Sequence, residues 1–428
     1  MVGEPVTSGD TITRMRTHLL RTAALTAALV LAAGWSALPA TALTPPSAPV
    51  SPTDAVMAGL LDARTTAGFG SRFAGQVVDV ASGEQVWART PGWALRPAST
   101  AKLVTAANAL TVLGPTYRVT TAVNRGTSWG QVVLVGGGDP SLSSADLAVL
   151  TRTTVATLRA HRVSRAKVWF DDSLFAAPTR ARGWQADDVP TDVRAVRALV
   201  VDEHHAADTS LDAARVFAAQ LTRAGVTVTA VGRGRAPDGS ATLATVRGDR
   251  LDVMVTRMLQ TSDNDHAEAL HRLVALAVGQ RATWTGAALA QRSVAGEQGV
   301  VLGETQLYDG SGLSRSDRLT AGQLVTLVTG ALAPHSASAP VARALPIAGL
   351  TGTLRASLGR FATAPSRCAA GVVHAKTGTL DQAVTLAGWT TGADGRLKAF
   401  AFVVNDAGDS LTLKRRVDDL AATVTGCY

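Results

Sequence analysis

Apolar and polar residues alternate over positions 74–88 in two short runs separated by Ala81-Ser82-Gly83-Glu84, and that period of two predicts a β-hairpin. Residues 100–113 are rich in Ala and Leu, with no breaker before Gly114-Pro115, which predicts a helix with Ser99 at its entry. From Tyr117 to about Asp202 the elements shorten. Strand-like runs at 131–135 and 167–170 flank a helix expected over 145–161. Helical periodicity returns over 210–224 and 251–278, the latter broken around 261–265. The chain closes with strand-like runs at 371–375, 383–390 and 397–405, split by glycine-containing turns, and a helix over 411–424. A hairpin at the start, with strands and a helix at the end, predicts one antiparallel sheet closed by both termini. The fold class is therefore α/β in the α+β sense, an antiparallel sheet flanked by helices. We place the main domain at 52–118 and 203–428, and a smaller inserted α+β domain at 119–202. No internal repeat is visible.

With 428 residues, 46% of them hydrophobic, the chain has enough apolar surface for a large core. The net charge of +8 comes from scattered arginines without a block of like charge or interleaved aromatics, which describes a solvated surface and not a nucleic-acid site. Lysine is scarce: Lys102, Lys167, Lys376, Lys398 and Lys414. Near the N-terminus, Arg14, Arg16 and Arg21 precede an uncharged stretch over 22–43 in which Ala40-Thr41-Ala42 has the small-x-small form that signal peptidases cut. The expectation is an export signal over 1–42, with Met15 as a more usual start than Met1. A retained membrane anchor is the alternative, since about 20 uncharged residues just span a bilayer. Three prolines in 43–50 mark a linker. Export implies an oxidising compartment, where Cys368 and Cys427 are expected to form a disulfide tying the chain end to the segment before a central strand. The alternative is two unpaired small hydrophobes. Neither cysteine has a nucleophile's surroundings.

Acyl transfer by a serine needs a hydroxyl, a base within hydrogen-bond reach and donors aimed at the developing oxyanion. Ser99 and Lys102 stand three apart at a helix entry, on one face of one turn. Alone, this S-x-x-K is a weak signal that reads first as an N-cap serine beside a surface lysine. Two further pieces shift the balance: Ser262-Asp263-Asn264 in the break between helical segments, and Lys376-Thr377-Gly378 at the end of an apolar strand. S-x-x-K, S-D-N and K-T-G in this order form the known signature of class A β-lactamases and penicillin-binding proteins. In that arrangement Lys102 is the base, and Lys376 lowers its pKa by like-charge repulsion. Ser262 relays a proton to the leaving amine, and Asn264 holds the substrate amide and Lys102. The strand after Lys376 aligns the substrate backbone, with Thr377, Gly378 and Thr379 forming its contact edge and the two threonine hydroxyls meeting a terminal carboxylate. The backbone N–H groups of Ser99 and Thr379 would make the oxyanion hole.

The resemblance extends further. Tyr308-Asp309-Gly310-Ser311-Gly312-Leu313-Ser314-Arg315, Leu345-Pro346-Ile347-Ala348-Gly349 followed by Gly352-Thr353-Leu354, and Gly136-Gly137-Gly138-Asp139-Pro140-Ser141-Leu142 resemble segments of the class C low-molecular-mass penicillin-binding proteins, the D-Ala-D-Ala carboxypeptidase/endopeptidase family. The resemblance runs from about Ala74 to Asn405. It implies a penicillin-sensitive serine peptidase of the extracytoplasmic wall space, acting on the D-Ala-D-Ala ends of peptidoglycan stem peptides, with β-lactams as covalent inhibitors and no metal or organic cofactor. Membrane contact is expected only through the N-terminal segment. Carboxypeptidase and endopeptidase action share this site and are not separated by it. Ser99 and Ser262 lie 163 residues apart, short for relatives with two inserted domains, so one insert is expected here and the second is taken as lost.

A class A β-lactamase would need a deacylating glutamate in an E-x-x-L-N context downstream of S-D-N, and neither Glu297 nor Glu304 has one. A non-catalytic wall-binding scaffold accounts for export and the insert but not for two of five lysines falling in the two motifs. His204-His205 and the pair His266 and His271 lack metal-ligand spacing, and Gly136-Gly137-Gly138 lacks the Lys-Ser/Thr of a phosphate loop. His374 shares a strand face with Lys376 and is assigned no role.

Overall fold

The computed structural model describes residues 51–303 and 305–428; the expected signal, the linker as far as Val50, and Glu304 lie outside the described residues. In chain order the strands are β1 (Arg72–Asp79), β2 (Gln85–Arg89), β3 (Arg118–Arg125), β4 (Gln131–Val135), β5 (Arg165–Asp171), β6 (Thr227–Arg233), β7 (Thr242–Arg250), β8 (His374–Leu380), β9 (Ala383–Thr391) and β10 (Leu397–Asn405). The longer helices are α1 (Pro52–Thr65), α2 (Lys102–Leu113), α3 (Ser144–Ala160), α4 (Thr209–Arg223), α5 (Leu251–Thr261), α6 (Asn264–Ala277), α7 (Trp284–Glu297), α8 (Ala321–Leu332) and α9 (Ser410–Val424).

β10 is the middle strand of an antiparallel sheet ordered β2-β1-β10-β9-β8, so both chain ends do close one sheet. Its period of two sorts side chains by size. Phe400, Phe402 and Val404 face a core shared with Met57 and Leu61 of α1 and Leu413, Val417 and Leu420 of α9. Ala399, Ala401 and Val403 face the other way, into the core that contains α2, α5, α6 and α8. Small residues there let helices approach closely. α2 is buried throughout its first nine residues, which is why its sequence carries no polar stripe.

Two expectations for this sheet are corrected. The strand expected at 371–375 is β8, His374–Leu380, and it lies at the sheet edge and not the centre. Gly371, with φ +82°, donates its N–H to the Ala348 carbonyl in a turn, whereas Gly378, which resembles a turn residue, is inside the strand. The Cys368–Cys427 disulfide is formed, and it joins the chain end to the segment before this edge strand.

The second sheet has the order β6-β5-β4-β3-β7, with β4, β5 and β6 parallel and β3 antiparallel to both neighbours. α3 and α4 cover one face, with Val132, Leu134, Val168, Phe170, Phe217 and Leu221 among the side chains between. β6 and β7 are opposite edges of the sheet, so the connection over 234–241 must traverse the sheet between them. The expected insert boundary at Asp202 differs from this sheet, which continues to Arg250. The reason is that β7 pairs with the distant β3, a partnership with no local sequence mark. Entry and exit are adjacent: Leu251 N–H donates to the Tyr117 carbonyl (2.8 Å) and Asp252 N–H to that of Pro115 (3.1 Å).

Lys398 on β10 is fully buried, and its ammonium meets Asp54 of α1 (2.8 Å), Asp79 of β1 (2.9 Å) and Asp394 in the β9–β10 turn (2.9 Å). Arg396 also reaches Asp54 (3.0 Å), Asp79 (3.2 Å) and Asp394 (2.9 Å), so removing Lys398 leaves three acids with one partly exposed counter-charge. Lys398→Met is expected to lower unfolding free energy by about 3–5 kcal/mol, measured by urea denaturation at pH 7; a loss below about 1 kcal/mol would mean that the carboxylates find solvent instead.

Candidate active site

Ser99 sits in a 3-10 turn, Ala98–Ala101, that runs into α2. The carbonyl of Pro97 anchors this turn, accepting from the hydroxyls of Thr100 (2.6 Å) and of Thr385 on β9 (2.8 Å). Ala98 has φ +47°, a conformation unfavourable for a residue with a Cβ, immediately before the serine. Two glycines make room for the turn. A Cβ on Gly312 would stand 1.9 Å from the Ala98 carbonyl oxygen, and one on Gly378 would stand 2.0 Å from Thr385 Oγ1 and 2.9 Å from the Pro97 carbonyl. Gly312 also has φ +78°.

The Ser262-Asp263-Asn264 triplet is the junction of two helices. Ser262 ends α5 in the left-handed conformation (φ +61°), Asp263 caps α6 by accepting the His266 N–H, and Asn264 begins α6. This joint brings Asn264 to Lys102 and Ser262 to Lys376. Lys102 Nζ lies 2.9 Å from Ser99 Oγ, 2.7 Å from Asn264 Oδ1 and 2.8 Å from the Ser311 carbonyl oxygen. Asn264 Nδ2 donates in turn to the Asp192 carbonyl at 2.8 Å. Lys376 Nζ donates to Ser262 Oγ (2.9 Å) and to the Thr377 carbonyl (2.8 Å).

β8 faces the cleft along the edge away from β9. Ala375 N–H points away from β9 to the Pro346 carbonyl (3.0 Å), so by the strand's alternation the N–H groups of Thr377 and Thr379 share that edge. Thr379 is exposed there, while Thr377 Oγ1 is paired with Thr353 Oγ1 at 2.8 Å. The open cleft of about 470 Å³ is lined by Ser99, Asn264 and Thr379, and by Asp192, Arg315 and Asp381.

Burial lowers the Lys102 amine to about 8 against the upward pull of Asp309 and Glu268. The repulsion expected from Lys376 falls the other way: Lys376 is pushed well below its usual range by burial first and then by Lys102 and Arg360. Both amines are fully buried.

The structure thus brings Ser99, Lys102, Ser262, Asn264 and Lys376 together, with Thr377, Gly378 and Thr379 alongside. The sequence reading missed Asp192 and Asp381, which carry no motif, and the Ser311 carbonyl, whose part is played by backbone. Ser141, inside the Gly136–Leu142 segment, pairs its hydroxyl with His266 Nε2 at 2.8 Å. His204 pairs with Asp212, His374 stacks on Trp389 and Glu297 is exposed at the end of α7.

The chain matches the family model described as D-Ala-D-Ala carboxypeptidase 3 (S13) over residues 59–207 and 200–424. It is 34% identical over 410 residues to a carboxypeptidase of Mycobacterium tuberculosis, covering 90% of this chain and 86% of that one. It is 29% identical over 430 residues to a D-alanyl-D-alanine carboxypeptidase of an Actinomadura strain, with 77% of each covered. The crystal structure of penicillin binding protein 4 from Haemophilus influenzae superposes with a TM-score of 0.73 at 20% identity, over 86% of this chain and 98% of that one, which establishes a shared fold.

The contacts at Gly312 imply a test of how finely the serine is placed. Gly312→Ala must move the Ser99 turn, and displacement of about 1 Å costs a reaction roughly a hundredfold. The rate of covalent labelling by a fluorescent penicillin is expected to fall to that extent while circular dichroism stays native; an unchanged rate would show that the turn tolerates the shift.

Proposed function

The chain belongs to the D-Ala-D-Ala carboxypeptidase 3 (S13) family and is a serine D-Ala-D-Ala carboxypeptidase, and from that premise we propose that it trims peptidoglycan stem peptides through an ester on Ser99. The observation that carries this reading is the buried Lys102 amine 2.9 Å from Ser99 Oγ. When neutral, Lys102 takes the Ser99 proton as Oγ attacks the carbonyl carbon of the penultimate D-alanine. The tetrahedral oxyanion rests on the N–H groups of Ser99 and Thr379, donors of a kind whose removal costs a hundredfold or more. The C–N bond then breaks, and the departing D-alanine nitrogen receives its proton through Ser262, which Lys376 holds. Water, losing a proton to the same amine, cleaves the ester and restores the serine. Asn264 and the outer edge of β8 hold the peptide backbone, and the hydroxyl of Thr379 meets the terminal carboxylate. A β-lactam acylates the same oxygen.

Residues 118–250 are proposed as the inserted domain, in place of the narrower span ending at Asp202. Export by the N-terminal signal to the wall space fits the disulfide and the substrate.

Wild type is expected to release D-alanine from a stem pentapeptide and to be labelled by fluorescent penicillin, and Ser99→Ala is expected to do neither. Mass spectrometry of digested wall fragments separates loss of terminal D-alanine from cutting of cross-links. Label retained by Ser99→Ala would end the assignment.

The base adds a pH dependence. A neutral amine is needed, so the acylation rate should climb as pH rises through about 8 and fall toward acid as Lys102 is protonated. Labelling rates flat from pH 5 to 9 would remove Lys102 as the base.

A further inference from the structure

Glu268 lies fully buried on α6, one helical turn beyond Asn264. Its Oε1 accepts the N–H groups of Gly310 (3.0 Å) and Ser311 (2.9 Å). The carbonyl of the same Ser311 accepts the Lys102 amine at 2.8 Å. Thr105 of α2 holds the Gly310 carbonyl at 2.7 Å, so the loop is gripped from both helices. The other carboxylate oxygen, Oε2, has no hydrogen-bond partner among the described residues. A glutamine would serve both amides through its carbonyl without burying a charge, so two backbone bonds alone do not account for an acid in this position. Two buried cations feel that charge, Arg272 one turn farther along α6 and Lys102.

We propose that Glu268 is a positioning residue for acylation: it fixes the Ser311 carbonyl against the Lys102 amine and stabilises the ammonium that forms when Lys102 takes the Ser99 proton. This rests on the roles of Ser99 and Lys102 proposed above. The charged groups around the pair are Arg272 on α6, Asp309 and Asp317 on the loop, Asp263 and Asp265 at the head of α6, and Lys376 on β8 beyond Lys102; His271 on α6 is buried and is pushed well below its usual range by burial and by Arg272. Burial and Asp309 push the Glu268 carboxyl up, and burial brings the Lys102 amine down.

The test measures fluorescent-penicillin labelling rates of the full chain from pH 5 to 10 for wild type, E268Q and E268A, with circular dichroism melting on each. E268Q keeps an acceptor for both amides but loses the charge. Its acid limb should move down by roughly half a unit, and its plateau should fall by up to about threefold because the amine becomes a weaker base. E268A also loses the acceptor, and its plateau should fall about tenfold further. An acid limb of E268Q that coincides with wild type overturns the proposal, as does an E268Q that fails to fold, since only an acceptor oxygen is required of the fold. Equal plateaus for E268Q and E268A overturn the positioning half. Ser99→Ala, run alongside, reports separately on the underlying site: label retained there would fail that reading whatever Glu268 does.

Discussion

A single amine taken out of water organises this molecule. Lys102 Nζ has three hydrogen-bond partners, one from its own turn and two from remote stretches of chain: the Ser99 hydroxyl, the Asn264 amide oxygen and the Ser311 carbonyl. Leaving any of them unmade would expose a buried donor to the full cost of desolvation. The α2 turn, the α5–α6 joint and the 307–317 loop are therefore fixed relative to one another by the same group that performs the proton transfer. Burial does two things at once here. It weakens the amine's hold on its proton, and it makes the surrounding hydrogen bonds stringent.

The backbone around this amine accepts strain to reach it. Ala98 and Ser262 both have positive φ, at a cost of about 1–2 kcal/mol each. Both are immediate neighbours of, or members of, the reacting set. The central sheet offsets such costs, with β10 buried along nearly its whole length between two cores.

Much of this was legible in the sequence because the chemistry is carried by side chains at fixed local spacings. S-x-x-K is one helical turn, and S-D-N is a helix stop and a helix start written in three letters. β9 and β10 showed in their largely apolar runs. β8 was placed a few residues early because Gly378 reads as punctuation, whereas its missing Cβ is what lets the strand pass the Ser99 turn. The extent of the second sheet was missed because β3 and β7 are partners across more than a hundred residues, and pairing over that distance leaves no periodic trace. Lys398 and Glu268 look like ordinary surface charges in a linear reading; only their burial distinguishes them.

The antiparallel pair β3 and β7 also works as a stem. The chain departs from the end of α2 and comes back to the start of α5 through two hydrogen-bonded neighbours, so the ends of the excursion are pinned side by side whatever lies beyond them. To the helices that bear Ser99 and Asn264, the intervening residues are equivalent to a short loop, and the entropy of closing it is met locally by the stem. Growth or shrinkage of the far part of that excursion would leave the spacing of the two reactive helices untouched, which makes this the point where the architecture tolerates change in length.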